Sequence, residues 1–222
     1  MPTRAKPYDR SYFEHPLFRP RADSPRNRRL LRELLGHKKG GTLLEVGCGK
    51  GAFLKQAADH FNVRGMDLSD YAVGHAHPGI RQRMDHGNIE ADALPRDAFD
   101  AVVAFNVLEH LRHPSAAVDR IYEGLRADGV FMGSVPLKYG VIGRVHTHIT
   151  NLVDRTHVAT YRPPRWDTLF RTAGFARIHF MGEVMLGKNR NLLLRHRGWP
   201  HLAFNLVFVC RKAPERLPAR SG

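Results

Sequence analysis

Apolar and polar positions along this chain follow two repeats, and the repeats take turns. "TLLEVG" (42–47) is an apolar run closed by glycine, which predicts a strand buried on both faces. Residues 52–60 follow with helical spacing. "NVRGMDL" predicts a second strand, residues 69–76 a short helix, and residues 80–85 a third strand. A turn at Pro95–Asp97 precedes "FDAVVAFNVL", a fourth strand; residues 115–125 read as a helix and "GVFMGSVP" as a fifth strand. Upstream, Ser24-Pro25 is a helix start with proline at the first helical position. Leu30, Leu31, Leu34 and Leu35 share one face of the helix that follows, which ends at "GHKKGG". Strand–helix alternation of this kind implies an α/β fold, a parallel sheet with helices on both faces.

The pattern loosens after Pro136. Residues 137–162 hold Gly140, Gly143, His146, His148 and His157, and read as an insertion over the sheet. Residues 164–173 predict a helix ended by Gly174, with Trp166, Leu169 and Phe170 at core spacing. "FARIHFMGEV" and "LAFNLVFVCR" predict two last strands joined by a basic loop that holds Leu192–Leu194, Trp199 and Pro200. Before the first helix, Pro2, Pro7, Pro16 and Pro20 discourage regular structure, so residues 1–23 are expected to form an extended arm. The expected organisation is this arm, a main domain over 24–213 carrying the 137–162 insertion, and a tail over 214–222. No internal repeat is visible.

Charge adds one question. The chain of 222 residues carries 35 Lys and Arg against 21 Asp and Glu, a net +14. Such a balance suits phosphates, an anionic surface or acidic substrates. Arginine far outnumbers lysine, though, and no nucleic-acid recognition motif accompanies the charge, so a basic composition alone also accounts for it. Cys48 and Cys210 are too few and too far apart for a disulfide framework or a thiolate metal site. With no apolar run of about 18 residues and no secretory-type leader, the expected location is the cytoplasm.

The candidate chemistry is concentrated at "LLEVGCGKGAFL", a strand running into Gly47, Gly49 and Gly51. A P-loop needs Gly-x4-Gly-Lys followed by Ser or Thr, and here Lys50 is followed by glycine. A dinucleotide fingerprint needs G-x-G-x-x-G, and the third glycine is one residue early. A nucleoside without phosphate, such as S-adenosylmethionine, needs only close backbone approach and an acid for its ribose. Glu45 lies in the strand before the turn. Asp67 ends the next strand, roughly the 20 residues on expected of a ribose-binding acid. Asp67 could instead cap the next helix, but Ser69 is better placed for that.

"LLEVGCGKG", "VRGMDLS", "GNIEADALP", "FDAVVAFNVLEHL" and "ADGVFMGSVP", in this order, resemble the successive motifs of class I S-adenosylmethionine-dependent methyltransferases of the small-molecule type. The resemblance covers residues 30–136 well and continues more weakly through "DRTHVATYRPPRWDTLFRTAGF". It implies a Rossmann-like, doubly wound, seven-stranded sheet in the order 3-2-1-4-5-7-6 with strand 7 antiparallel. It implies that the backbone of Gly47, Cys48 and Gly49 faces the methionine part, that Asp67 holds the ribose and that Leu68 lies beside the adenine. Asn88 and Ile89 match the pair that reads adenine, with Asn where the family more often has Asp; counting back from Leu94-Pro95 would give Glu90 and Ala91 those roles. Asn106, ending the fourth strand, matches a position bordering the methionine and the methyl group.

The implied reaction is in-line displacement at a sulfonium methyl, for which the protein aligns the nucleophile and excludes water. A base helps if the acceptor is a hydroxyl or a protonated amine. The candidates are His110, in "LEHL", and His146, His148 and His157 in the insertion. Each could equally be held by local hydrogen bonds or solvated. A metal held by His146, His148 and Asp154 is conceivable, but no carboxylate cluster supports it, and no metal is expected. Tyr12 and Phe13 in the arm either close over the ligand or pack as a plug. The expected acceptor is a small molecule of sugar, polyketide-like or quinone-like type, with anionic or lipid-like acceptors compatible with the charge. An RNA or protein methyltransferase is the alternative. It gains from the charge and lacks an "NPPY"-like motif where the chain reads "FNVLEH". A non-catalytic protein that binds S-adenosylmethionine is the third reading. The acceptor itself and the oligomeric state are not encoded in any motif.

Overall fold

Strands covered on both faces have no solvent side to mark, so their sequences are almost wholly apolar. The computed structural model describes residues 8–14, 24–137, 139–140, 142–145, 148, 158–185, 191–195 and 202–214. Its strands are β1 (Thr42–Val46), β2 (Asn62–Asp67), β3 (Met84–His86), β4 (Phe99–Phe105), β5 (Leu125–Pro136), β6 (Arg177–Met185), β7 (Asn191–Leu194) and β8 (Asn205–Arg211). Its helices are α1 (Arg10–Glu14), α2 (Pro25–His37), α3 (Ala52–Ala57), α4 (Asp70–Gly74), α5 (Pro114–Gly124) and α6 (Pro163–Thr172).

The strands form one sheet in the order β3-β2-β1-β4-β5-β8-β6-β7. From β3 to β5 every pairing is parallel; β8 runs antiparallel between β5 and β6. This is the expected doubly wound order with one addition. The stretch read as a basic loop contributes an eighth strand: Asn191–Leu194 pairs antiparallel with the end of β6. The leucine run continues a sheet edge whose backbone groups would otherwise lack partners.

Along each central strand the side chains alternate between two cores. Leu44, Val102, Ala104, Phe131 and Phe208 join the core under α5 and α6, where Trp166 and Phe170 are fully buried, as their spacing predicts. Leu43, Ala101, Val103, Val130 and Val207 join the core under α2 and α3, with Leu30, Leu31 and Leu34. Leu35 packs on its edge.

Two local expectations are corrected. Residues 80–85 are not all strand: a turn of 3-10 helix spans Arg81–Arg83, and the strand is only Met84–His86. The arm is not wholly extended. Its prolines leave residues 10–14 free to coil, and Arg10–Glu14 is helical with Phe13 buried. Of the 137–162 insertion, only part lies within the described residues; 140, 142–145 and 148 have helical backbone.

Because β1 pairs with β2 on one side and β4 on the other, the chain reverses its direction of winding between them. A crevice opens at the carboxyl ends of strands flanking such a reversal, where ligands of open α/β sheets bind.

Candidate functional site

The crevice is a cavity of about 920 Å³ walled by the β1–α3 turn, the ends of β2 and β4, the first turn of α2 and the aromatic residues of α1. Glycine is required where the turn approaches it. Gly47 and Gly49 have φ of +67° and +54°, and a Cβ on Gly47 would lie 2.4 Å from Val107 Cγ2.

Three of the turn's N–H groups are turned to β2. Gly47 and Cys48 donate to the Met66 carbonyl, at 2.7 and 3.2 Å. Gly49 donates to Asp67 Oδ2 at 2.7 Å. A phosphate cradle needs those three donors free, so this turn suits a ligand with no phosphate.

Asp67 is 8% exposed and its Oδ1 accepts from Ser69 N–H at 2.9 Å. Burial pushes its carboxyl above the ordinary range, and the bonds from Ser69 and Gly49 offset part of the rise. Capping of α4 falls to Ser69, whose Oγ accepts from Ala72 N–H at 3.1 Å. Asp67 is therefore braced by two backbone N–H groups, has lone pairs to spare and lines the cavity. Glu45 is 6% exposed, and its Oε2 is buried with no hydrogen-bond partner. Burial, and then the nearby Asp67 charge, raise its carboxyl well above the usual range. A buried carboxyl oxygen without a partner can be satisfied by a donor from the cavity, and a cationic donor would favour its ionised form.

The other wall follows β3 and β4. Leu68 lines it and is 47% exposed, an apolar face offered to a ligand. Asn88, Ile89 and Glu90 are also in the wall, and Ala91 is not among the residues lining it. Asn88 Oδ1 accepts from Glu90 N–H at 2.9 Å, a local turn that holds its side chain. Glu90 Oε1 accepts from His113 N–H at 2.7 Å. Cys48 lines the cavity, with burial holding its thiol in the protonated form. Asn106 ends β4 with φ +55° and lines the cavity.

Of the four candidate bases, the structure brings one to the cavity. His110 lies in a turn of 3-10 helix, its ring 6.0 Å from that of Tyr8 at near right angles. His148 is exposed and is not among the lining residues. His146 and His157, like Asp154, lie outside the described residues. Among the described residues no group of three His, Cys, Asp or Glu could hold a metal.

The α1 aromatics Tyr12 and Phe13 line the cavity. Phe13 is 7% exposed, lines the cavity and lies against Gly49. Glu14 accepts from Lys50 Nζ and from Tyr71 Oη, and Ser69 Oγ donates to the Tyr8 carbonyl, so α1 and the residues before it are tied to the β1–α3 turn and to α4.

Sequence reading passes over four residues at or behind this wall: Arg26, Ser134, Glu183 and Asn205. Glu183, 1% exposed within the apolar stretch 180–185, is the one that could have been found, since a buried acid demands a partner. Arg26 supplies it at 2.7 Å.

Comparison with known proteins agrees with this geometry. Residues 18–179 match the family model described as a methyltransferase domain. A protein of Mycolicibacterium smegmatis named for S-adenosylmethionine-dependent methyl transfer is 34% identical over 114 residues, 50% of this chain and 44% of that protein. The chain thus spans less than half of that relative's length. A ubiquinone biosynthesis O-methyltransferase of Nitrosomonas europaea is 26% identical over 166 residues, 68% of this chain and 70% of that one. The fold is shared with an S-adenosylmethionine-dependent methyltransferase of Thermotoga maritima, with TM-score 0.69, 16% identity, and coverage of 84% of this chain and 89% of that chain.

Proposed function

The chain belongs to the class I S-adenosylmethionine-dependent methyltransferases, and from that premise we propose that it transfers the methyl group of S-adenosylmethionine to a small molecule, at a hydroxyl of a quinone-like or other phenolic intermediate. The observation that carries the cofactor half is the distribution of polar groups around the cavity. A braced carboxylate, Asp67, is set for a ribose diol; a partnerless buried oxygen, Glu45 Oε2, is set for an ammonium; and the turn has spent the N–H groups of Gly47, Cys48 and Gly49. The residues fit an adenosyl amino acid and do not fit a pyrophosphate.

When bound, the sulfonium supplies a methyl group already activated for displacement. What remains for the chain is alignment and exclusion of water. Phe13, Tyr12 and Tyr8 cover the cavity, and Phe105 and Val107 wall it. His110 borders the same space and is the described histidine able to take a proton from an acceptor hydroxyl. The aromatic lining supports a ring-bearing acceptor, as does the likeness to a protein named for ubiquinone O-methylation.

The test is calorimetry with S-adenosylhomocysteine, followed by assay of its release from S-adenosylmethionine in the presence of simple catechols and an extracted metabolite pool. Binding together with release dependent on a phenolic acceptor is expected, and His110→Gln should lower that release by about 10²-fold or more at unchanged cofactor affinity. Binding without turnover on any acceptor would favour the non-catalytic reading. Turnover only with RNA or protein would move the acceptor to those classes.

A further inference from the structure

A chain of hydrogen bonds runs from the interior to the cavity wall. At the first turn of α2, Arg26 grips Glu183 of β6 with two bonds, Nε to Oε1 at 2.7 Å and Nη2 to Oε2 at 2.9 Å. The same carboxylate accepts from Asn205 Nδ2 of β8 at 3.0 Å. Glu183 and Asn205 are 1% and 3% exposed, so the fork is fixed in the protein interior. Arg26 Nη2 also donates to Ser134 Oγ of β5 at 3.0 Å, and Ser134 is fully buried.

The direction of the next bond follows. A serine hydroxyl that receives Arg26 on a lone pair still has one proton to place. Asn106 Oδ1, at 2.7 Å, takes it. The Asn106 backbone is fixed to the same residue, its N–H donating to the Ser134 carbonyl at 2.8 Å. The amide orientation of Asn106 is thereby set, and Nδ2 is the group left for the cavity. Asn106 is exposed there, and Nδ2 has no acceptor among the described residues.

A zwitterionic amino-acid end needs an acceptor for its ammonium and a donor for its carboxylate. Glu45 Oε2 is the acceptor, and the N–H groups of Gly47, Cys48 and Gly49 are already spent. Asn106 Nδ2, held by the relay, offers such a donor from the wall of the same cavity. We infer that Asn106 Nδ2 donates to the carboxylate of the cofactor's amino-acid end, and that Glu183, Arg26 and Ser134 are positioning residues that hold Asn106 in that orientation. This rests on the S-adenosylmethionine reading given above.

The experiment compares two probes by calorimetry: S-adenosylhomocysteine, and 5′-methylthioadenosine, which keeps the adenosyl thioether and lacks the amino and carboxyl groups. Asn106→Asp tolerates the left-handed backbone and turns the donor into an acceptor. It should weaken S-adenosylhomocysteine by about thirtyfold or more while 5′-methylthioadenosine stays within about twofold. Ser134→Ala cuts the relay and should weaken S-adenosylhomocysteine by about three- to tenfold, again sparing the truncated probe. Retained 5′-methylthioadenosine binding also reports that each variant is folded. Unchanged or tighter S-adenosylhomocysteine binding in Asn106→Asp would overturn the donor assignment. Wild-type affinity in Ser134→Ala would overturn the relay, and equal losses for both probes would place the effect on the adenosyl part and overturn both. Failure of the wild-type protein to bind either probe would remove the cofactor reading itself, and this inference with it.

Discussion

The Asp67 carboxylate accepts the Gly49 N–H at 2.7 Å, across eighteen residues of sequence. The bond makes the glycine turn after β1 and the acid at the end of β2 one structural unit. Asp67 closes the turn, and in the proposed reading it also holds the ribose.

Asp67→Ala should therefore lose both roles. The affinity for S-adenosylhomocysteine is expected to fall at least tenfold, about 1.4 kcal/mol or more. Asp67→Asn keeps an acceptor oxygen but replaces the other with an amide donor facing Gly49 or the ribose, and should be nearly as weak. Calorimetry on variants with intact thermal transitions checks both; wild-type affinity in Asp67→Ala would remove the ribose assignment.

Glu45 should tie stability to pH. An exposed glutamate titrates near 4.3, whereas burial raises Glu45 well above the usual range in the folded chain. Between those two values the folded state holds a proton that the unfolded state has released. Stability from this group is thus present at lower pH and is lost as pH rises through the folded pKa. Glu45→Gln removes the titration. The melting temperature of the variant minus that of the wild type should be larger at pH 8 than at pH 5, without ligand. The same variant should bind S-adenosylhomocysteine more weakly, because an ammonium beside Glu45 favours its ionised form and an amide has none to offer. A constant difference across pH would count against the buried ionisation.

Two glycines should respond in opposite senses to alanine. Gly51 has φ +79°, and a Cβ there would lie 2.1 Å from Ile80 Cδ1 and 2.9 Å from Met84 Sδ. Gly51→Ala should cost about 2 kcal/mol or more, through the backbone conformation and the forced shift of both side chains. Gly36, within α2, has nothing within 4 Å of a Cβ. Gly36→Ala should stabilise by about 0.5–1 kcal/mol. Urea unfolding curves at constant slope measure the pair.

The α1 contact should govern ligand release. Phe13 covers Gly49, and Glu14 is bonded to Lys50 and Tyr71. Phe13→Ala and Glu14→Gln should each speed dissociation of S-adenosylhomocysteine in stopped-flow displacement, by about threefold or more. Association should change less, because the altered contacts form over the occupied site. Equal off-rates in wild type and both variants would mean that α1 packs without covering.

Local order was legible in the residues themselves. Runs such as "TLLEVG" and "FDAVVAFNVL" could only be strands buried on two faces, and the glycine spacing with Asp67 pointed to the cofactor class of the matching family and to the sheet edge where the cavity lies. Ser69 as the cap of α4 and Trp166 and Phe170 as core were likewise readable, since each depends on neighbours within a few residues. What needed the tertiary structure was everything set by long-range pairing. The strand at Asn191–Leu194 exists because β6 offers it an edge, and α1 is held by bonds to residues more than thirty positions away. Arg26 meets Glu183 across 157 residues, and through Ser134 it orients Asn106. Sequence periodicity records which face a residue turns to the core. Which buried polar groups meet there is decided by the sheet order, because only the packed strands bring their ends to one place.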